Sequence, residues 1–594
     1  MNKKDRKILD EALKRFHESH AMEYDNRNDA IRCSEFVDGK QWDPKAINDR
    51  KGRPVITINK LRKFVLQISG ELQQNRPELI VSPLKGGATI EGAQLRNDII
   101  RHIEYMSNAD VAYDTAVQQA LEGGYGFWRI ITQYSKDSFD QDIVIKRVPN
   151  RFSVILDQFA QSPTYEDGMY AFVIDEISRS RFEALYPGVS IPSGPSLLNP
   201  YGVYNWYTPE SVTIAEYFWK EPYREEIWLL ENGEVINSEQ IKSLKESELG
   251  EESLESPVIS KRSQTKYRIK WMKFTFDEIL EGPQDFPGEY IPIIFMSGYE
   301  FNDQGKRRFR GIVYDALDAV RMYNYWKVAI AEILGSAPKT NRFVTPEQTN
   351  GFENEWNTMN IIPRPYTHYN FIPGVPPPMQ EPPMPIPTGA ANEAAASAMD
   401  IQDTIGLYGA NLGQPSNERT GRAIRLRQER GDATVFTFVN NYQNALLYTG
   451  KILLSMIPEV YSAKRIMKIM TKDGGIKDII LNNPSVDLRK LEGTIENDLN
   501  DGEYDMIPTI GPNYATKRKE VVASMLDFLQ FFPAAGPLLA PKIAKLMDWE
   551  GAQSIAAELQ NIINQQSGEG QPVGHGQQQP GAAVQNSSDI NSAF

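Results

Sequence analysis

The chain of 594 residues contains one cysteine, Cys33. A lone thiol rules out an intrachain disulfide and a cysteine metal cluster, and it fits a reducing compartment. Histidine is almost as scarce, at five residues. His17 and His20 flank Glu18, but they are three apart rather than at the four-residue spacing of a metalloprotease helix, and they read as decoration on a surface helix. His102, His368 and His575 are scattered. No apolar run reaches the ~18 residues of a membrane span, and the opening MNKKDRKILDEALKRF has no secretory apolar core, so we expect a soluble protein made and used in cytoplasm, away from membranes. Also missing are a Gly-x-x-x-x-Gly-Lys-Ser/Thr phosphate loop, a dinucleotide glycine pattern after a strand, and a Gly-x-Ser-x-Gly elbow. Carboxylates are abundant but no pair stands out; a glycosidase survives this test because its two acids need not be close in sequence. No catalytic residue, metal site or cofactor is therefore expected. Positive charge is in deficit as well, with a net −14. Such a chain is a poor candidate for gripping nucleic acid over a broad surface, because that affinity comes from counterion release at basic patches.

What is present is organised around residues 308–460. Arg308 to Gly335 reads as one helix of 28 residues, roughly 42 Å long if unbroken. Its apolar positions Ile312, Ala316, Ala319, Tyr323, Trp326, Ile330 and Ile333 step by three and four and define one buried stripe. Gly335 and the Ala337-Pro338 step end it. Twelve of the 38 prolines then fall between Pro338 and Pro387, so neither helix nor central strand persists there and the passage is an extended excursion. An alanine-rich helix returns from Ala390 to about Leu407, its small side chains suited to close helix packing. A glycine-punctuated loop follows, then a long basic-to-apolar helix from about 421 to 460.

Size alone calls for at least two domains. Residues 1–35 read as an exposed amphipathic helix with apolar Ile8, Leu9, Leu13 and Phe16. A turn at Asp38-Gly39 leads to an extended piece at Val55–Ile58, a helix from Asn59 (a plausible N-cap) to about Asn75 before Pro77, and a strand near Leu79–Val81. One helix is expected over about 90–122 and a hairpin over 123–145. Residues 150–310 look like mixed α/β rich in strands, with alternation in 212–220, in EEIWLLENGEVI around its Asn232-Gly233 turn, and in 266–276. The acidic, serine-rich stretch 239–255 reads as a solvated loop or surface helix. Beyond 460 come short strands and turns to 512, then two or three helices over 514–566 interrupted at Pro533 and Pro537. The last residues are low in complexity and expected to be disordered.

One charged cluster admits two readings. Arg419, Arg422, Arg425, Arg427 and Arg430 lie within twelve residues. They form either a solvated helix start paired with Glu418 and Glu429, or a phosphate-contacting rim at a constriction; basic residues at a helix start oppose its dipole, at a few tenths of a kcal/mol each. Aromatics make up 10% of the chain, which leaves a soluble hydrolase with an aromatic cleft as an alternative, although aromatics at these spacings are more often core.

Several segments, collinear over residues 30–515, resemble the portal proteins of tailed double-stranded DNA phages, of the short-tailed enterobacterial (podovirus) type. They are FVDGKQW at Phe36–Trp42, GRPVITINKLRKFVLQISGELQQNRP at 52–77, GYGFWRI at 124–130, SVILDQFA around Asp157, APKTNRFVTPEQTNGFENEW at 337–356, and NERTGRAIRLRQERG at 417–431. The resemblance implies an α+β portal fold. Residues 1–306 and 421–512 would form a wing that includes the long helix. The two stem helices would be 307–336 and 390–407, with the clip at 337–389 and a tunnel loop at 408–420. Short crown helices would occupy 513–566, with a tail at 567–594. The implied function is not enzymatic. It is a virion ring, twelve copies expected, at one capsid vertex, assembled in the host cytoplasm and passing double-stranded DNA during packaging and ejection. Partners would be the terminase large subunit, a head-to-tail adaptor, and the major capsid and scaffolding proteins. Another ring-forming head-to-tail connector is the nearer alternative. Under this resemblance, Asn411, Gln414, Arg419, Arg422 and Arg425 are candidate tunnel contacts with DNA. Arg342, Arg364, Tyr366, His368 and Tyr369 are candidate contacts for motor or adaptor on the clip.

Overall fold

The computed structural model describes residues 2–189, 206–236, 257–336, 342–380, 388–406, 421–470, 476–487, 492–508 and 514–546, apart from 75, 78, 86, 137, 232, 234, 360 and 363, together with 555, 558 and 559; side chains of 421–435 are outside the description. It divides into two compact units, Met1–Thr509 and Ile510–Phe594.

The first unit opens with helices α1 (Lys3–Met22), α2 (Tyr24–Val37), α3 (Pro44–Asp49) and α4 (Leu61–Gln74), then strand β1 (Leu79–Lys85). Helices α5 (Ile90–Ser107) and α6 (Ala109–Gly123) follow, with strands β2 (Tyr125–Tyr134), β3 (Gln141–Arg147), β4 (Val154–Leu156) and β5 (Tyr170–Ser178). After α7 (Arg179–Leu185) come β6 (Ser211–Leu230), β7 (Val235–Ile236), β8 (Val258–Phe274), β9 (Ile279–Phe286), β10 (Ile293–Ser297), β11 (Tyr299–Asp303) and β12 (Lys306–Arg310).

Period-two alternation builds the layers. In the antiparallel sheet β4-β5-β6-β8-β9, Phe172, Ile174 and Tyr217 point to one face and Val173 and Phe218 to the other. Helix α1 covers the first face with Leu9, Leu13 and Phe16, the Phe16 ring lying edge-on to Phe172 at 5.5 Å. The second face packs on the sheet β10-β2-β3 through Phe127, Ile293 and Phe295. On its far side that smaller sheet offers Trp128, Ile130, Ile294 and Met296 to the main core, which α4, α5, α6 and a long later helix complete. Both helix and sheet are extensive, so the α+β expectation holds.

Several expectations need correction. The first helix is not an exposed decoration: its apolar stripe is buried, and His17 is 6% exposed with its ring edge-on to Phe16 at 5.4 Å. The helix expected over 90–122 is two, because Asn108 turns left-handed (φ 48°) and ends α5. The helix expected to start at 308 starts later. Residues 306–310 are instead β12, hairpin partner of β11. The turn is Gln304-Gly305, both at positive φ (51° and 85°), the backbone a two-residue hairpin requires. Its arginines brace α2: Arg308 pairs with Asp25 at 3.0 Å and Asp29 at 2.9 Å. Gly311 then runs flat on α6, where a Cβ would come within 2.2 Å of the Leu121 carbonyl oxygen. Helix α8 therefore spans Leu317–Ser336.

Strands β13 (Arg342–Phe343) and β14 (Met379–Gln380) bracket the short helices α9 (Pro346–Thr349) and α10 (Glu353–Asn357). Helix α11 (Thr388–Ile405) and the 40-residue α12 (Gly421–Val460) follow. Hairpins β15 (Arg465–Met470) with β16 (Ile476–Leu481) and β17 (Asn483–Asp487) with β18 (Glu492–Glu496) lead to β19 (Glu503–Pro508), which pairs antiparallel with β1. The second unit contains α13 (Tyr514–Phe531), a 3-10 turn at Pro533–Ala535 and α14 (Gly536–Leu546), with Phe528 stacked on Phe532 at 5.6 Å. Residues 239–255 and 567–594 lie outside the described residues.

Candidate functional site

The two helices flanking the proline passage pack on each other. Small and apolar positions Ala394, Ser397, Ile401 and Ile405 form the buried stripe of α11, and Leu317, Val320, Tyr323 and Val328 that of α8. The amino-terminal Leu317 and Val320 share the main core with the carboxy-terminal Ile401 and Ile405. At the opposite end the chain leaves after Ser336 and returns before Thr388, and its two arms meet where Arg342 pairs with Gln380 and Phe343 with Met379. The helices are therefore antiparallel, with one pair of ends rooted in the core and the other carrying residues 342–380.

A buried polar chain fixes the rooted end. Asn324 is 1% exposed. Its Oδ1 accepts the Ile58 N–H at 3.0 Å, and its Nδ2 donates to Gln41 Oε1 at 2.6 Å. Gln41 Nε2 donates to the Phe36 carbonyl at 2.8 Å and Asn59 Nδ2 to the Val37 carbonyl at 2.6 Å. The Arg321 guanidinium lies over the Phe36 ring, and Arg50 stacks on Trp42 and pairs with Glu332 at 2.6 Å. The FVDGKQW segment and Asn59 thus strap α8 in place. Buried amides cost free energy unless all are satisfied, and here Gln41, Asn59 and Asn324 satisfy one another and the backbone around them. Asn59 caps α4 loosely, accepting from the Arg62 N–H at 3.3 Å.

The other quoted segments are also positioning elements. Gly126 lets β2 lie against α6, where a Cβ would meet the Ala116 carbonyl oxygen at 2.2 Å. Trp128 donates Nε1–H to Thr449 of α12 at 3.0 Å. Asn441 of α12 donates to the Gly298 carbonyl at 2.7 Å, and Tyr448 to that of Ile291. Asp157, buried, accepts from the Phe159 and Met169 amides.

Residues 342–380 have little aliphatic core and hold themselves with polar ties. Gln348, 2% exposed, accepts the Thr345 N–H at 3.1 Å and donates to the Pro376 carbonyl at 2.8 Å. Trp356 Nε1–H donates to the His368 carbonyl at 2.8 Å. Of the candidate contacts here, three are engaged internally. Arg342 lies over Trp356, Arg364 donates to the Glu355 carbonyl at 2.9 Å, and the His368 ring stacks on Phe352 beside the Glu355 carboxylate at 3.1 Å. Tyr366 and Tyr369 face outward, joined by Phe343, Ile361 and Phe371, which sequence reasoning missed because apolar residues in an irregular loop carry no periodic signal of exposure. Asn411, Gln414 and Arg419 lie outside the described residues. Arg422 and Arg425 fall on the first turns of α12, in the stretch whose side chains are outside the description.

Among the described residues, no helix is long and apolar enough to cross a membrane, and no three His, Cys, Asp or Glu side chains gather as metal ligands. Trp128, Trp206 and Trp228 are fully buried core rather than the walls of a cleft.

A family model described as Phage P22-like portal protein matches residues 13–592. A portal protein of Acyrthosiphon pisum secondary endosymbiont phage 1 is 26% identical over 552 residues, covering 88% of this chain and 75% of that protein. The chain belongs to the P22-like family of phage portal proteins.

Proposed function

We propose that copies of this chain close into a ring at one vertex of the capsid, twelve being the expected number, with α8 (Leu317–Ser336) and residues 390–407 as the stem, 337–389 as the clip and 408–420 facing the tunnel. A heterologous contact repeated until it closes generates such a ring with a central hole. The supporting observation is the antiparallel pair α8 and α11, rooted at one end and carrying a self-tied tip at the other. In this reading residues 1–306 and 421–512 form the wing and 513–566 a short crown. Double-stranded DNA passes along the axis, driven by the terminase large subunit, and a head-to-tail adaptor later takes the motor's place.

The tip's outward Tyr366 and Tyr369 are the docking residues of this reading, while Arg342, Arg364 and His368 hold the surface that presents them. Arg419, Arg422 and Arg425, with Asn411 and Gln414, make transient contacts with passing phosphates. A chain of net −14 suits a conduit, because a wall that bound phosphates tightly would stall the duplex. Rotationally averaged electron micrographs of the purified protein test the proposal. A holed ring supports it, and a monomer at every concentration overturns it. Packaging and genome retention left unchanged by Arg419→Ala, Arg422→Ala and Arg425→Ala together would return those arginines to the solvated-surface reading.

A further inference from the structure

Charge is distributed unevenly over the first unit. Residues 40–63 carry eight Lys or Arg against Asp43 and Asp49, a net +6 in a chain of net −14. Lys45, Lys51, Arg53, Arg62 and Lys63 are exposed and make no ion pair among the described residues. Burial and then the neighbouring Lys327 and Lys63 ammonium groups push Lys60 below the ordinary lysine value. The same strap exposes Ile47, Val55 and Ile56, so it is a mixed basic and apolar surface. A face built only to track phosphates would not need the aliphatics.

Its complement lies on the β1–β19 ladder. Residues 496–505 contain five acids and no base. Asp501 and Glu503, with Glu91 at the start of α5, are exposed and form no salt bridge among the described residues, although the Arg96 charge acts on Asp501. Beside them a groove of 420 Å³ is lined by Ile80, Pro83, Ile90 and Ile507, all exposed. Ile80 and Ile507 are direct cross-strand partners on the outer face. Arg96 beneath is spent on the Leu499 and Asp501 carbonyls and stacked on Tyr504 at 3.8 Å. The groove does not accept a strand: Asn97 Oδ1 takes the Val81 N–H at 2.8 Å, and Pro83 has no N–H to offer. It accepts side chains.

We infer that the basic, apolar strap of one copy docks on the acidic, apolar groove of the next, forming the head-to-tail contact of the ring. The inference rests on the ring reading above. Two copies of like net charge repel, so association needs a local surface of opposite sign, and a heterologous contact needs two different surfaces on each copy. Within one copy no ion pair joins Lys45, Lys51, Arg53, Arg62 or Lys63 to Glu91, Asp501 or Glu503 among the described residues, so a copy's strap does not satisfy its own groove.

A charge-swap cycle read by native mass spectrometry tests this. Arg53→Glu, Arg62→Glu and Lys63→Glu together are expected to lower the ring fraction at least tenfold, as are Glu91→Lys, Asp501→Lys and Glu503→Lys together. Circular dichroism of each monomer should be unchanged. Combining both sets in one chain is expected to restore the ring. The milder Arg53→Gln, Arg62→Gln and Lys63→Gln should weaken assembly less and make it less sensitive to salt. Rings that persist in either reversed set, or that fail to return in the combined chain, overturn the inference. Intact rings with lost retention of DNA in the basic set would also overturn it and make the strap a phosphate contact. A wild-type chain that never forms a ring refutes the ring reading itself, and this contact with it.

Discussion

Asn324 is the most informative single position to perturb. Asn324→Leu keeps the volume but removes both partners of the strap, leaving the Ile58 N–H and Gln41 Oε1 without their bonds. An unsatisfied buried polar group costs about 1–3 kcal/mol. The Ile58 amide is partly open to water, so we take the lower half of that range for it and about 3 kcal/mol for the two together. Spread over the opening equilibrium of residues 40–60, this is about two decades. Hydrogen exchange read by mass spectrometry should therefore show about 100-fold faster exchange across 40–60, with that of α6 and β2 unchanged. Trypsin should cut faster after Arg50 and Lys51. The double variant Gln41→Leu with Asn324→Leu should cost less than the sum of the two, because the Gln41 amide that Asn324→Leu leaves orphaned is then removed as well. Exchange in 40–60 within threefold of wild type would refute the claim that this polar chain fastens the strap to α8.

Trp128→Phe deletes the buried bond to Thr449 Oγ1, and we expect about 1–3 kcal/mol of lost stability, measured by urea unfolding of the first unit, with Thr449→Val non-additive beside it. Gly126→Ala drives a methyl into the Ala116 carbonyl oxygen and should abolish soluble expression, whereas Gly70→Ala inside α4, where a Cβ meets nothing within 4 Å, should be neutral or stabilise by up to about 1 kcal/mol in thermal unfolding. Burial first, then the Arg27 and His17 charges, hold His20 down to about 4 from an ordinary 6.5. Between those values the unfolded chain binds the proton and the folded one does not, so stability falls as pH drops from 6.5 to 4 and levels below. His20→Gln should flatten that limb of a melting-temperature profile; an unchanged slope would exclude His20 as a contributor.

Local chemistry was readable wherever it acts through neighbours in sequence. Proline density marked the excursion at 338–387, alternation marked β6 and β8, and the apolar period of 421–460 marked α12, because each signal is a property of a short window. The breaks were harder. Asn108 adopts a left-handed conformation that asparagine tolerates without requiring it, so one helix was expected where two exist. The Gln304-Gly305 turn carries little signal beside the helical spacing of the apolar residues beyond it, so the expected helix begins at 308, inside β12.

The sequence by itself determined the family, the mixed helix and sheet composition, the two helices around a proline-rich passage, and the acidic balance of the chain. Tertiary structure alone decided that α1 is buried, that His17 is a core residue, and that Phe36–Trp42 meets Asn324 across almost three hundred residues of chain. It also decided which tip residues face outward and that the strap and the groove are surfaces of opposite sign. The physical reason is range: propensity and periodicity are set by neighbours within a few residues. Burial, hydrogen-bond partners and charge complementarity depend on which distant segments the packed core brings to the same place.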